Sequence, residues 1–307
     1  MDSALRLEGV SKRYGRFEAV KELSFEVERG SICGFLGPNG AGKTSTLRMI
    51  LGLSDPSAGK ITVLGADTGA KVRDRIGFLP EERGLYRKMT PVDAIAFFAG
   101  LKGVALGEGR RRARKLLEEQ GLGEAMKKPM KDLSKGMAQK VQLLASIAHE
   151  PEFVILDEPF SGLDPMNQQG LEAIIRGLAD RGATVLFSTH VMQHAERLCR
   201  KVVLLAQGRK VFEGSVAAAR SEAPRSVEIE GHISAEEAAG LPGVSGVESV
   251  AVEGDPGVFS HRAALGKGAD PQAALKAAFA RGLDVRRFEM REPSLHDAFI
   301  VLTGGDR

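Results

Sequence analysis

The stretch Ser31–Leu53, SICGFLGPNGAGKTSTLRMILGL, decides the fold. Its apolar opening reads as a buried strand, its Gly-rich centre as a turn, and Leu47, Ile50 and Leu51 recur at helical spacing. Gly37-Pro38-Asn39-Gly40-Ala41-Gly42-Lys43-Thr44 fits G-x-x-x-x-G-K-[ST] in full, with Ser45 following. Such a loop turns backbone N–H groups inward around a phosphate and points a helix N-terminus at it. Lys43 is then placed for the β- and γ-phosphates and the Thr44 hydroxyl for Mg²⁺. A turn that only connects two elements would not need every position of that pattern.

Downstream, Phe153-Val-Ile-Leu-Asp157-Glu158-Pro is an apolar strand that ends in two carboxylates. Asp157 suits a hydrated Mg²⁺, and Glu158 suits an attacking water. Alone it could be a strand with an acidic tip; paired with the phosphate loop it reads as catalytic.

Further out, the chain of 307 residues has length for about two domains. Its 43 Lys and Arg against 40 Asp and Glu leave a net charge of +3, with 43% hydrophobic residues. This is ordinary globular composition and argues against a disordered or nucleic-acid-binding tail. Two Tyr and no Trp argue against an aromatic platform for single strands. Cys33 and Cys199 both lie in apolar segments and read as buried, reduced thiols. No run approaches the length of a spanning helix, and MDSALRLEG lacks an apolar leader core. The expectation is a cytoplasmic chain.

Ala4–Val27 alternates as antiparallel strands do, and about Pro91–Pro129 reads as helices with a break marked by Gly103, Gly107 and Gly109. A further helix begins at Ser134 with Met137, Val141, Leu144 and Ala148 on one stripe. FVILDEP and ATVLFSTH, separated by a helical pattern over Gln168–Asp180, indicate a covered parallel sheet. KVVLLAQGRKVFEG reads as a hairpin about Gln207-Gly208. Beyond about Val216, SVEIEGH, SAEEAAGL, ESVAVEG, GVFSHRAAL, PQAALKAAFARG and LDVRRFEM give a βαββαβ order, with SLHDAFIVLTG as a closing helix. The expected fold is α/β: a P-loop NTPase core over 1–215 with a helical insert at about 91–140. A small α+β, ferredoxin-like domain is expected over 216–307. His261 and His296 are isolated there and suggest no metal.

Between and after the core motifs stand Leu133-Ser134-Lys135-Gly136-Met137, Ser161-Gly-Leu-Asp164-Pro, Ser188-Thr189-His190 and, near the start, KRYG with Tyr14. In this order they resemble the ATP-binding subunits of ABC transporters over about residues 4–215. The closing run from Glu292 resembles the ending of ATPases from drug-, sodium- and antibiotic-export systems.

The resemblance implies that Tyr14 stacks on adenine and His190 contacts the γ-phosphate. It implies that Ser134 and the Gly136 N–H touch ATP held by a second copy, in a head-to-tail dimer, and that Asp164 links the two sites. It also implies a separate multi-span membrane permease, with this chain peripheral on the cytoplasmic face. Blander readings stand beside these: Tyr14 as a strand aromatic, Ser134 as an N-cap, His190 as a satisfied strand-end histidine.

Two departures from the family pattern matter. Glu81 stands where the family usually has glutamine, and a carboxylate still suits a hard cation. The signature reads LSKGM, the commoner form being LSGGQ, and a lone Lys135 is expected to face solvent. Arg110–Lys140, with ten basic and four acidic residues, is read as a solvated helical face and not a nucleic-acid site. The rival function, a soluble ABC ATPase acting on nucleic acid or ribosomes, fits less well. The chain has one nucleotide unit and no sustained heptads between its core motifs.

Overall fold

The computed structural model describes residues 3–82, 84–252, 257–266 and 268–304. The chain divides into two compact units, Met1–Val216 and Ala217–Arg307.

In the first unit β1 (Ser3–Tyr14) and β2 (Phe17–Glu28) form an antiparallel hairpin closed by the pair Tyr14–Phe17. β3 (Ile32–Leu36) leads through the Gly-rich loop into α1 (Lys43–Ile50). Next come β4 (Ala58–Val63), which pairs antiparallel with β1, a 3₁₀ segment over Gly69–Arg75, and β5 (Ile76–Leu79). The helical insert contains α2 (Pro91–Gly100), α3 (Leu106–Glu119) and α4 (Lys135–Ile147). β6 (Phe153–Asp157), α5 (Pro165–Asp180), β7 (Thr184–Thr189), α6 (Met192–Leu198), β8 (Lys201–Ala206) and β9 (Arg209–Ser215) follow.

The larger sheet has the order β5-β6-β7-β3-β8-β9, parallel except for β9. Its central strands β6 and β7 are buried at every position, as a sheet covered on both faces requires. One apolar core joins it to the β2-β1-β4 sheet, with Phe25 stacked on Phe35 at 5.3 Å. β8 and β9 turn at Gln207 (φ 49°) and Gly208 (φ 80°), the left-handed pair a two-residue hairpin favours. Cys33 and Cys199 are buried and unbridged, and desolvation pushes the Cys33 thiol up to about 12.

The helical break lies at 101–105, before Gly107 and Gly109, which are inside α3. Gly109 is there for contact: a Cβ on it would stand 3.2 Å from the Ala96 Cα, so α2 and α3 meet backbone to backbone. Four bases of α3 are paired on its surface, Arg110 with Asp93, Arg111 and Arg112 with Glu108, and Lys115 with Glu119. That matches a solvated, salt-bridged surface.

The second unit carries α7 (Val216–Arg220, beginning one residue before it), β10 (Ser226–His232), α8 (Ala235–Ala239), β11 (Val244–Ala251), β12 (Phe259–Leu265), α9 (Pro271–Ala280), β13 (Asp284–Arg291) and α10 (Leu295–Leu302). The strand reading of ESVAVEG runs past β11 to Glu253 and Gly254, which lie outside the described residues. Its antiparallel sheet has the order β11-β12-β10-β13, the ferredoxin-like arrangement. Val227, Ile229, Ala263, Ala274 and Ala278 form its core with α8 and α9. Glu248, Arg262, Glu228 and Glu289 stand in register across the four strands, and Asp297 of α10 pairs with Arg262 at 2.8 Å. His261 is buried, its Nε2 donating to the Ile233 carbonyl at 2.6 Å and its Nδ1 accepting from Ser249 at 2.7 Å, a structural role.

Candidate active site

Three adjacent parallel strands, β6, β7 and β3, each deliver a functional segment from the carboxyl end, where open α/β sheets bind ligands. From β3 comes the Gly-rich loop, tied to β7 by the Gly37 N–H on the Thr189 carbonyl at 3.3 Å. Gly37 admits no side chain, because a Cβ would lie 2.4 Å from the Leu205 carbonyl oxygen. Gly42 caps α1 at φ 97°, and its Cβ would lie 2.6 Å from the Ala19 carbonyl. Both glycines are thus needed for close backbone approach, and Gly42 also for its left-handed turn.

Lys43 is buried at the start of α1. Its Nζ donates to the Gly37 carbonyl at 2.7 Å and the Pro38 carbonyl at 3.2 Å, and lies 3.9 Å from the Glu158 carboxylate. Desolvation lowers its pKa, against the pull of Glu158, Asp157 and Glu81. Three carboxylates therefore stand around its amine.

Asp157 ends β6 and accepts from the Ser188 hydroxyl of β7. Burial raises its pKa, with the Ser188 hydrogen bond opposing and neighbouring Glu158 adding to the rise. Glu158 follows with φ 46°, a left-handed backbone unusual for a residue with a long side chain. Its N–H donates to the Ser188 carbonyl at 3.0 Å, which holds that turn. Three donors then fix its carboxylate: the Thr189 hydroxyl at 3.1 Å, the His190 N–H at 3.0 Å and the His190 Nδ1 at 2.9 Å. Donation to that oxygen requires the His190 proton to sit on Nδ1.

One cleft is lined by Asn39, Gly40, Gly42, Lys43, Thr44, Ser45, Glu81, Asp157 and Glu158 together with Phe17 and Ala19. Gly37, Pro38 and Ala41 build the loop beneath it. Tyr14 does not line this cleft: it is 46% exposed beside the hairpin turn, with Lys12 Nζ 5.3 Å from its ring centre. Phe17, its cross-strand partner, takes the lining position.

Ser134, Gly136 and Asp164 form a second cluster outside that lining. Ser134 caps α4, accepting from the Met137 N–H at 3.2 Å. Asp164 caps α5, accepting from the Asn167 N–H at 2.9 Å and the Asn167 Nδ2 at 2.6 Å. The Asn167 side chain lies against Gly136, where a Cβ would be 2.3 Å away. Lys135 is exposed, as expected of a lone Lys, and its amine lies over Gly162, the glycine of the Asp164 loop.

The stripe reading of α4 missed two polar groups. Gln139 is buried and donates to the Pro159 carbonyl at 3.1 Å; Gln142 is buried and donates to the Glu82 carbonyl at 3.1 Å. Likewise His194 of α6, buried, stacks on Phe160 at 4.3 Å and accepts from Arg197 Nη2 at 2.9 Å. Polar residues on helix faces with apolar neighbours are the only sequence signal for such contacts.

Residues with side-chain oxygens in the cleft lining include Thr44, Ser45, Glu81, Asp157 and Glu158. Among the described residues no group of three or more His, Cys, Asp or Glu is arranged to hold an ion unaided. Oxygen-bearing side chains such as those of the cleft lining suit Mg²⁺, which prefers oxygen and takes much of its shell from phosphates and water.

Comparison with known proteins agrees with this geometry. The ABC transporter family matches residues 20–161, and the C-terminal domain of DrrA1-3-like ATP-binding proteins matches 219–303. The chain is 37% identical, over 98% of both proteins, to the uncharacterized ABC transporter ATP-binding protein YhaQ of Bacillus subtilis (strain 168). It is 39% identical to the Nod factor export ATP-binding protein I of Rhizobium leguminosarum bv. viciae, covering 69% of each chain. A solved ATP-binding subunit of an ABC transporter superposes with a TM-score of 0.65 at 33% identity, over 72% of this chain and 93% of the other. The chain belongs to the ABC transporter family and is one of its ATP-binding, ATP-hydrolysing subunits.

Proposed function

We propose that the chain powers export through a separate membrane permease, working as a head-to-tail pair of copies at the cytoplasmic face of the membrane. Export is supported by the likeness to Nod factor export ATP-binding proteins. A separate permease is in keeping with the described residues, where no helix is long and apolar enough to cross a membrane. In each composite site one chain supplies Lys43, Thr44, Glu81, Asp157, Glu158 and His190 and its copy supplies Ser134 and the Gly136 N–H. Asp164 bridges the two sites, and Tyr14, with Phe17 beside it, receives the adenine. Isologous pairing completes two sites at once.

Thr44, Asp157 and Glu81 would hold Mg²⁺, which neutralises phosphate charge when bound. The loop N–H groups and Lys43 bind the triphosphate and stabilise its developing negative charge. Glu158 orients the attacking water and accepts its proton as the water oxygen bonds to the γ-phosphorus and the bond to the β-phosphate oxygen breaks. The products are ADP and inorganic phosphate. His190 holds the Glu158 carboxylate and stands beside the γ-phosphate. Catalysis of this kind is mostly positioning and electrostatics.

The observation that carries this reading is the buried Glu158, fixed by three donors and 3.9 Å from the Lys43 amine. Glu158→Gln should bind ATP and hydrolyse it at least about 100-fold more slowly, accumulating as an ATP-bound dimer on size exclusion. Wild-type turnover in that variant would move the water to another group. Affinity purification from membranes should bring down a multi-span protein; recovery of ribosomes or nucleic acid in its place would reverse the choice of partner.

A further inference from the structure

Glu81 lies in the loop after β5, exposed, on the wall of the nucleotide cleft with Lys43, Thr44 and Asp157. Its neighbours on either side are Pro80 and Glu82. Gln142, in the middle of α4 and only 5% exposed, sends its Nε2 to both of their carbonyls, at 3.4 Å to Pro80 and 3.1 Å to Glu82. One side-chain amide, with two N–H bonds, therefore binds the carbonyls of the two residues that flank Glu81. One turn earlier on the same helix, Gln139 makes the corresponding bond to Pro159, the residue after Glu158. The helix that starts at the Ser134 cap thus grips both loops that carry the exposed and the buried glutamate of the cleft.

The remainder of the Glu81 loop is also tied to the approach to α4. The Met130 N–H donates to the Met89 carbonyl at 2.9 Å and the Lys131 N–H to the Arg87 carbonyl at 3.0 Å. These are main-chain bonds that any sequence could form. The Gln142 bonds depend on one side chain, and an apolar residue of equal size would fill the same space without them. A buried amide requires partners, and both partners here flank one functional residue.

We propose that Gln142 is a positioning residue for Glu81: it sets the Glu81 carboxylate from the signature helix, so that the metal side of the cleft depends on where α4 stands. This rests on the reading of Glu81 as a metal-side group. Because α4 begins at Ser134 and Gly136, a displacement of the signature reaches Glu81 of the same chain through a single amide. The simpler alternative is that Gln142 only satisfies two carbonyls and supports the fold.

The two are separated by a double-mutant cycle on the full chain, with Gln142→Met, Glu81→Ala and the pair. Binding of a fluorescent ATP analogue is titrated with Mg²⁺ at fixed nucleotide, alongside the ATPase rate and a melting curve. Gln142→Met should raise the Mg²⁺ needed for half-maximal binding about three- to tenfold, as should Glu81→Ala. In the Glu81→Ala background Gln142→Met should add nothing to that shift. Equal shifts in both backgrounds, or none with Glu81 present, would overturn the proposal and leave Gln142 a fold residue. If Glu81→Ala leaves the Mg²⁺ dependence unmoved, the metal-side reading of Glu81 falls, and the proposal with it. Should Gln142→Met not fold by its melting curve, Gln142→Asn carries the cycle with the donor withdrawn by one methylene and the same non-additivity required.

Discussion

A single ring nitrogen shows how burial becomes a pH dependence. His149, after α4, donates through Nε2 to the Ile76 carbonyl at 3.2 Å, while its Nδ1 is buried without a hydrogen-bond partner among the described residues. Desolvation, with Lys102 nearby, lowers its pKa from 6.5 to about 4; Asp74 opposes this and Arg112 adds to it. The folded state thus prefers the neutral ring. Its contribution to stability is complete above pH 6.5 and declines as pH falls to about 4. His149→Gln, which can still donate to Ile76, should flatten the fall in melting temperature across that window; an unchanged slope would assign the loss to other groups. The phosphate loop and the Asp157-Glu158 pair were legible in sequence because their chemistry needs residue types at fixed spacing. His149, Gln139 and Gln142 were not legible, because their roles depend on main-chain carbonyls brought up by distant elements, which no local pattern encodes.

At the scale of elements, caps and close approaches do much of the ordering. Asp164 caps α5 and also holds Asn167, whose side chain presses on Gly136 of α4. Asp164→Ala should cost about 1 kcal/mol as a lost cap. For a unit of this size that is a fall in melting temperature of roughly 2–4 °C. ATPase activity should fall by more than that stability loss accounts for, because Asn167 is released from the signature; activity falling only in step with folded protein would limit Asp164 to capping. Helix and strand identities were largely legible from apolar period, including the β8–β9 hairpin and the βαββαβ order. The position of the insert's break was not, since Gly107 and Gly109 read as breakers while Gly109 serves helix contact against Ala96. Nor was the choice of Phe17 over Tyr14 in the cleft lining, because residues on both sides of a hairpin turn alternate in a way that sequence leaves equivalent.

For the whole molecule, the nucleotide residues all fall in the unit ending at Val216, while Ala217–Arg307 has its own sheet and its own apolar core. A chain ending near Ala219 should therefore fold and bind ATP with Mg²⁺, as nucleotide titration of the purified fragment would show; a folded fragment unable to bind would place part of the site beyond Val216. Two cores also bear on how heat takes the protein apart. Calorimetry should record two endotherms, since a cooperative transition belongs to a core and not to a chain. Nucleotide should lift only the one whose folded form binds it, by an amount set by mass action. The interval between the two peaks would then widen with ATP concentration, so a heat scan alone could report which half of the polypeptide a ligand has found.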